Sequence, residues 1–187
     1  MSTATTTATP ALTTWKIDPV HSHAEFAIRH LMISTVKGRF GLVNGTVEID
    51  DSDFTRSSAA VAIDVDSIDT HEPQRDAHLK SADFFDAEHH PLIEFRGTRI
   101  TAVAPDRSTF SLSGNLTMHG VTKEVTLEVT AEGRGKDPWG GERAGFSAHT
   151  RIKRSEFGLT WNQLLEAGGF AVGDEVKITL DVELVKS

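Results

Sequence analysis

The chain has 187 residues, a formal net charge of −8 and no cysteine. This length suits one domain with a sizeable core, and the acidic balance argues against nucleic acid as a partner, since neutralising phosphates requires a basic face. The lack of cysteine excludes a disulfide framework, a thiolate metal site and a cysteine nucleophile.

The first residues, MSTATTTATPALT, are rich in Thr and Ala. They lack the basic and apolar regions of a secretory signal peptide. No apolar run approaches the roughly 18 residues that a membrane-spanning helix needs. We therefore expect a disordered tail over 1–13, one folded domain over 14–187, a protein that does not span a membrane, and a cytoplasmic location.

The rest of the chain mostly alternates apolar and polar residues, which is typical of half-buried strands. Trp15 and Ile17 mark a short first strand that ends at Asp18-Pro19. Further apolar rows at period 2 lie within 24–28, 36–49, 59–65, 93–100, 146–152 and 176–184. The row at 36–49 changes parity beside several glycines, which predicts a bend within a long curved hairpin.

The clearest pattern is at 110–131, FSLSGNLTMHGVTKEVTLEVTA. Two period-2 segments meet at His119-Gly120, which predicts two antiparallel strands joined by a tight turn. The outer face of the second strand consists of Thr and Glu, whereas its inner face is aliphatic. This hairpin therefore has one side in water and one side against a dry interior.

Two stretches interrupt the strand pattern. HEPQRDAHLKSA at 71–82 predicts a short helix, with Pro73 suited to its first turn. At 155–170 we expect a helical turn around 161–167, stopped by Gly168-Gly169. Both insertions carry bulky apolar residues and are interpreted as lids or plugs.

These elements predict an all-β fold of about eight antiparallel strands with two short helical insertions, arranged as a barrel or a sandwich. A closed barrel of about eight strands is either filled by side chains or holds one small or slender ligand. Periodicity leaves both interpretations open.

Several segments resemble the YceI-like family in the family's order. They are WKIDPVHSH at 15–23, RDAHLKSADFFD at 75–86, GNLTMHGVTKEVTLEV at 114–129, RSEFGL at 154–159 and VGDEV at 172–176. The resemblance implies a closed, lipocalin-like antiparallel β-barrel with a long apolar tunnel, often in a homodimer. It also implies binding of a polyisoprenoid, a prenyl diphosphate, a quinone or a fatty-acid derivative as carrier, store or sensor, without a cofactor.

The candidate lining of such a tunnel follows from strand parity and from the insertions. Residues of inward parity are Phe26, Ile28, Phe40, Val61, Ile63, Phe95, Phe110, Leu112, Leu127, Phe146, Leu180 and Val182. The expected mouth residues are Phe84, Phe85, Phe157 and Trp161. Ordinary core packing is the alternative for each lining residue, and plugging the barrel end is the alternative for the mouth residues.

Polar residues of inward parity are His30 and Arg154. A buried arginine needs an anionic partner or several acceptors, and the aspartates at 76, 83 and 86 could supply the anion. Alternatively Arg154, with Arg75 or His78, contacts the head group of a ligand, for which a diphosphate would suit, and His30 is a further candidate for this contact.

His21 and His23 would share one face of an extended strand, but no third ligand is identifiable, so no metal site is predicted. His89 and His90 are interpreted as loop or surface residues. No catalytic motif is present and no catalytic residue is predicted. Two other functions stay open: an isomerase or cyclase using His30 with an acidic neighbour, or a filled barrel with a stress or scaffolding role.

Overall fold

The computed structural model describes residues 12–41, 43–166 and 168–187. Its strands are β1 (Leu12–Ile17), β2 (His23–His30), β3 (Ser34–Phe40), β4 (Val43–Asp50), β5 (Ser58–Asp64), β6 (Ile68–Asp69), β7 (Leu92–Thr101), β8 (Thr109–Met118), β9 (Val121–Lys136), β10 (Glu142–Lys153) and β11 (Val172–Lys186). One α-helix, α1 (Pro73–Lys80), and three 3-10 helices, η1 (Phe54–Arg56), η2 (Val65–Ser67) and η3 (Arg154–Phe157), lie between them.

Eight strands close into an antiparallel barrel in the order β1-β4-β5-β7-β8-β9-β10-β11, and β11 pairs with β1 to complete the ring. Closure leaves the ring without a free edge. The predicted closed antiparallel barrel is therefore confirmed, and the sandwich alternative is wrong.

The strands β2, β3 and β6 extend this wall from β11. β1 and β2 pair with the same edge of β11, so that 12–30 behaves as one long strand bent at 18–22. β3 and β4 likewise follow one another along this pair. The predicted long, bent hairpin is present, and Leu42 lies outside the described residues.

The β8–β9 hairpin has the predicted register, with Met118 opposite Val121. His119 and Gly120 form its two-residue turn at φ values of 52° and 72°. Two central residues of positive φ are the geometry that matches the right-handed twist of paired strands. The inner side chains Leu127 and Val129 are buried, whereas Glu128 is exposed.

The helical insertions are shorter than predicted. α1 begins at Pro73 because the Glu72 side chain accepts hydrogen bonds from the backbone N–H groups of Gln74 and Arg75, at 3.2 and 2.6 Å. The second insertion has its helical turn at η3, earlier than predicted, and 161–166 is not helical. Ala167 and the tail residues 1–11 lie outside the described residues, while β1 already includes Leu12 and Thr13.

Candidate functional site

An internal cavity of about 370 Å³ occupies the half of the barrel beside α1 and the segments 81–91 and 154–171. At this end β5, β8 and β10 finish, and β7, β9 and β11 begin. Its wall is almost entirely apolar, and its charged lining residues are Glu25, Arg29, Arg75 and Arg154. The barrel therefore encloses a dry space whose charged lining is mainly cationic.

The inward row of β11 shows that side chains do not fill this space. Val176, Ile178, Leu180 and Val182 all face inward, yet each is only half-buried. Leu184, further along the same row, has an exposed fraction of 1%. Since native cores pack without large voids, the half-buried residues mark the part of the barrel with room for a guest molecule.

Most of the residues predicted to line a tunnel do line this cavity. They are Phe26, Ile28, Phe40, Val61, Ile63, Phe84, Phe85, Phe95, Leu127, Trp161, Leu180 and Val182. The four predicted head-group residues, His30, Arg75, His78 and Arg154, also line it. Strand parity and the two insertions thus identified residues that are dispersed in the sequence and surround one cavity.

Four other predicted lining residues lie elsewhere. Phe110, Leu112 and Phe146 belong to a second core cluster, in which the Phe110 ring meets those of Phe54 and Phe146 at centroid distances of 4.9 and 6.4 Å. This cluster fills the end of the barrel away from α1. Phe157 has an exposed fraction of 1% and packs in the main core rather than at the mouth. The cavity is therefore blind at one end.

Aromatic rings surround the opposite end. His78 contacts Phe84 and Trp161 edge to face, at centroid distances of 5.1 and 4.8 Å, and the Phe85 ring meets Phe40 in the same way at 5.7 Å. Edge-to-face pairs stabilise ring clusters beyond their buried area. The helix α1, the 81–91 segment and the 154–171 segment are thereby joined at the mouth.

Arg154 is buried and bonds to backbone carbonyl groups instead of the predicted carboxylates. Its Nε donates to Gly173 O at 2.8 Å, and its Nη1 donates to Leu159 O at 2.6 Å and Trp161 O at 2.8 Å. Its Nη2 reaches Val172 O at 3.4 Å. Burial lowers the pKa of this guanidinium, and the charge of Asp174 opposes that effect. Arg154 thus holds 159–161 and 172–173 together.

The aspartates that could have paired with Arg154 have other partners. Asp76 accepts a hydrogen bond from Thr70 N at 2.9 Å, and Asp83 lies 2.9 Å from His78 Nε2. Asp86 contacts His89 Nδ1 at 2.9 Å. The prediction that these aspartates pair with Arg154 is therefore wrong. The acceptors of Arg154 are backbone carbonyl oxygens.

Arg75 is half-buried at the mouth. Its Nε and Nη2 each donate to Thr70, to Oγ1 and the backbone O, at 2.8 Å. Within the described ranges, no carboxylate oxygen comes within 4.0 Å of the guanidinium nitrogens of Arg75 or Arg154. Two positive charges at the rim are thus not neutralised by ion pairs.

Sequence reasoning missed half of the cavity wall. The additional lining residues are Ala24, Glu25, Arg29, Val36, Val43, Leu79, Ile93, Leu116, Met118, Val125, Thr150, Ile152, Leu159, Val172, Val176 and Ile178. Several of them, including Leu116, Val125 and Ile178, share inward parity with predicted residues, which was a usable signal. No pattern marked Arg29, whose Nη2 donates to Met32 O at 2.6 Å in the β2–β3 turn.

The histidines considered as a metal pair do not converge. His21 lies in the turn after β1, with its Nδ1 3.0 Å from Asp18 Oδ2, whereas His23 Nε2 lies 3.4 Å from Asp181. Asp18 also accepts from Arg143 Nη1 at 2.8 Å. Hydrogen bonds from His21 and then Arg143 lower the pKa of Asp18 to about 2.

Arg143 is the centre of this second polar cluster. Its Nε donates to Asp137 Oδ2 at 3.0 Å, and its Nη1 contacts both Asp18 and Glu183. Its carboxylate partners raise the pKa of the guanidinium. This cluster ties β10 and β11 to the bend between β1 and β2.

Among the described residues, no helix is both long enough and apolar enough to cross a bilayer.

The fold and the cavity define a lipocalin-like β-barrel protein. The chain belongs to the YceI-like family, since the YceI-like domain model matches residues 15–184. Protein YceI from Salmonella newport is 39% identical over 157 residues, covering 83% of this chain and 81% of that protein.

Two solved structures share the fold. BcnA from Burkholderia cenocepacia matches with a TM-score of 0.77 at 24% identity, covering 89% of this chain and 98% of BcnA. A domain from Saccharophagus degradans, described as polyisoprenoid-binding and implicated in plant cell wall breakdown, matches with a TM-score of 0.66 at 14% identity, covering 92% and 98%. These likenesses establish the barrel architecture.

Proposed function

We propose that the chain binds a long-chain amphiphile, with an apolar tail inside the barrel and an anionic head group at the mouth. The observation that carries this proposal is the blind apolar cavity with Arg75 and Arg154 at its rim and no carboxylate ion pair to either among the described residues. An apolar pocket with a few placed polar groups is the usual form of a small-molecule site.

The tail requires only a dry wall. A polyisoprenoid or acyl chain has no polar groups, so its transfer from water into the cavity is favourable in proportion to the apolar area removed from solvent. The volume of about 370 Å³ falls in the range of ordinary ligand pockets, roughly 300–1,000 Å³. The polyisoprenoid-binding description of the Saccharophagus degradans domain supports a prenyl chain as the first candidate.

The head group is best matched by a phosphate or carboxylate. A guanidinium presents a fork of N–H donors that fits both anions. Two N–H directions of Arg75 are engaged by Thr70, which fixes its orientation. Arg154 is held by carbonyl groups and contributes charge more than free donors. We therefore assign the direct contact to Arg75, and His78 and His30 are further polar residues of the lining.

The enzyme alternative has weaker support. An isomerase or cyclase would need His30 next to an acid, and in the described part of the chain no carboxylate oxygen lies within 4.0 Å of a His30 ring nitrogen. The cavity also speaks against a filled barrel. Binding as a carrier, store or sensor is the proposal that remains, while the homodimer and the cytoplasmic location stay predictions.

Organic extraction of the purified protein followed by mass spectrometry tests the proposal. We expect a stoichiometric isoprenoid or acyl species. An empty extract, together with no uptake of added prenyl lipids, would refute binding. Time-dependent conversion of the extracted lipid by fresh protein would support the enzyme instead.

The head-group assignment is tested with Arg75→Gln. This variant should weaken binding of a prenyl diphosphate by about tenfold, corresponding to ~1.4 kcal/mol, and leave the matching prenyl alcohol nearly unchanged. Arg96→Gln is the control, because Arg96 is an exposed arginine on the outer face of β7. Equal loss for both lipids would contradict the assignment.

A further inference from the structure

Behind the mouth, three side chains that could ligate a metal converge from two separate segments. Asp86 and His90 lie in the loop after α1, and His119 lies in the β8–β9 turn. One ligand atom from each residue lies within 4.8 Å of the other two, and all three residues are half-buried. None of them lines the apolar cavity, so this cluster is separate from the proposed lipid site.

The hydrogen bond of His119 leaves one ring nitrogen ready to bind a cation. Nδ1 of His119 lies 3.2 Å from the carbonyl oxygen of Phe157. A carbonyl oxygen can only accept, so Nδ1 carries the proton and Nε2 keeps its lone pair. Metal-bound histidines usually have this arrangement, in which the second ring nitrogen donates to a carbonyl or carboxylate.

The backbone is shaped to bring these groups together. Asp86 and His119 both have positive φ, at 50° and 52°, in a region of backbone conformation that residues other than glycine rarely adopt. A Cβ atom on Gly120 would lie 2.9 Å from His90 Cε1, so glycine at this position lets the His90 ring approach the turn. The rings of His90 and His119 are 5.3 Å apart. Residues that their surroundings hold in sparsely populated backbone conformations often cluster at functional sites.

We propose that Asp86, His90 and His119 form a site for a divalent first-row transition ion such as Zn²⁺. Two imidazoles and one carboxylate are ligand types that Zn²⁺ accepts, and water would complete the coordination. A divalent cation would also compensate the charge of the Asp86 carboxylate.

A second group with similar composition does not fit this role. Asp18, His21 and Glu183 also lie within 4.8 Å of one another. The guanidinium of Arg143, however, already contacts both carboxylates of this group. A metal ion there would have to displace an arginine. Among the described residues Asp86 has no arginine or lysine partner, and its side-chain partner is His89, whose Nδ1 lies 2.9 Å from Asp86 Oδ1 and would yield to the ion.

An ion at Asp86, His90 and His119 would join three segments that frame the mouth. The 81–91 loop carries Phe84 and Phe85 into the cavity wall, the β8–β9 turn carries His119, and the Phe157 carbonyl belongs to η3. Binding would therefore hold the rim of the cavity without entering it.

The test is calorimetric titration of the full chain, treated first with a chelator, with Zn²⁺ alone. We expect one ion per chain with micromolar or tighter affinity. His90→Phe keeps an aromatic ring and Asp86→Asn keeps the shape of the side chain, so each should lower affinity at least tenfold. His21→Ala is the control and should bind as the unmodified chain does.

Side-chain nitrogen NMR of the histidines gives a second measurement that does not depend on affinity. On addition of Zn²⁺, Nε2 of His119 should shift while Nδ1 keeps its proton. Unchanged affinity in His90→Phe, loss of binding in His21→Ala, or no saturable binding by the unmodified chain would each overturn the proposal. If Asp86→Asn fails to fold, His90→Phe still decides between these outcomes.

Discussion

The rings of Phe54 and Phe110 meet edge to face inside the barrel, with centroids 4.9 Å apart and planes at 80°. Phe54 comes from η1, outside the strands, while Phe110 is the second residue of β8. Their contact closes one end of the barrel and sets the depth of the cavity.

Removing the Phe110 ring from this contact should destabilise the barrel. Phe110 has an exposed fraction of 6%, so Phe110→Ala should cost about 3–5 kcal/mol of unfolding free energy through lost burial and the void left behind. Urea denaturation measures this loss. Trp139→Ala, at an 86% exposed aromatic residue, should change stability by about 0.5 kcal/mol or less. A similar effect of both substitutions would argue against a closed end.

Filling the cavity should reduce ligand uptake without unfolding the protein. Val125 lines the cavity and is half-buried, so the larger ring of Val125→Phe can occupy space that is otherwise free. We expect about tenfold weaker binding of a fluorescent prenyl or acyl probe. Glu124→Phe adds the same ring to the exposed outer face of β9 and should bind the probe normally. Unaltered probe binding by Val125→Phe would place the ligand elsewhere.

Arg154→Lys should loosen one side of the mouth. Lysine cannot reach all the carbonyl groups that Arg154 bonds, and each buried carbonyl left without a donor costs about 1 kcal/mol or more. We expect about 2–3 kcal/mol of lost stability and faster amide exchange at Ala171 and Val172. Lys153→Gln, at the exposed neighbouring residue, should leave exchange unchanged.

Asp18 should contribute to stability in a defined pH range. Its pKa is about 2 in the folded chain, below its ordinary value of 3.8, so its contribution is complete above about pH 4 and is lost as pH falls towards 2. Asp18→Asn should cost about 1–2 kcal/mol at neutral pH and flatten the acid limb of the stability profile. Glu124→Gln, on the exposed face of β9, should keep that limb. An unchanged profile in Asp18→Asn would show that other carboxylates govern acid unfolding.

Period-2 alternation predicted the strands and their inward faces well because each strand has one dry and one wet face. It left barrel and sandwich open, and the closed barrel was implied by the family resemblance. It could not predict which inward residues meet a void. Phe95 and Phe110 have the same status in the pattern, but Phe95 lines the cavity and Phe110 packs against Phe54. The difference lies in depth along the barrel axis and in a loop residue that no periodicity identifies.

The polar groups were harder to predict than the apolar ones. Inward parity correctly indicated that Arg154 is buried, but its acceptors are backbone carbonyl groups, which leave no trace in side-chain patterns. His90 and His119 are far apart in sequence and meet only because two turns adopt positive φ. Such convergence depends on loop geometry rather than on strand register.

The blind end of the barrel has a consequence for how any guest would travel. With Phe54 and Phe110 packed at the far side, a guest would enter and leave on the side of α1 and the 154–171 segment. A lipid could therefore not be threaded through the barrel from a donor on one side to an acceptor on the other. The protein would have to present the same face to the donor and to the acceptor in turn. The part of the lipid that enters the barrel last would be the first to leave it.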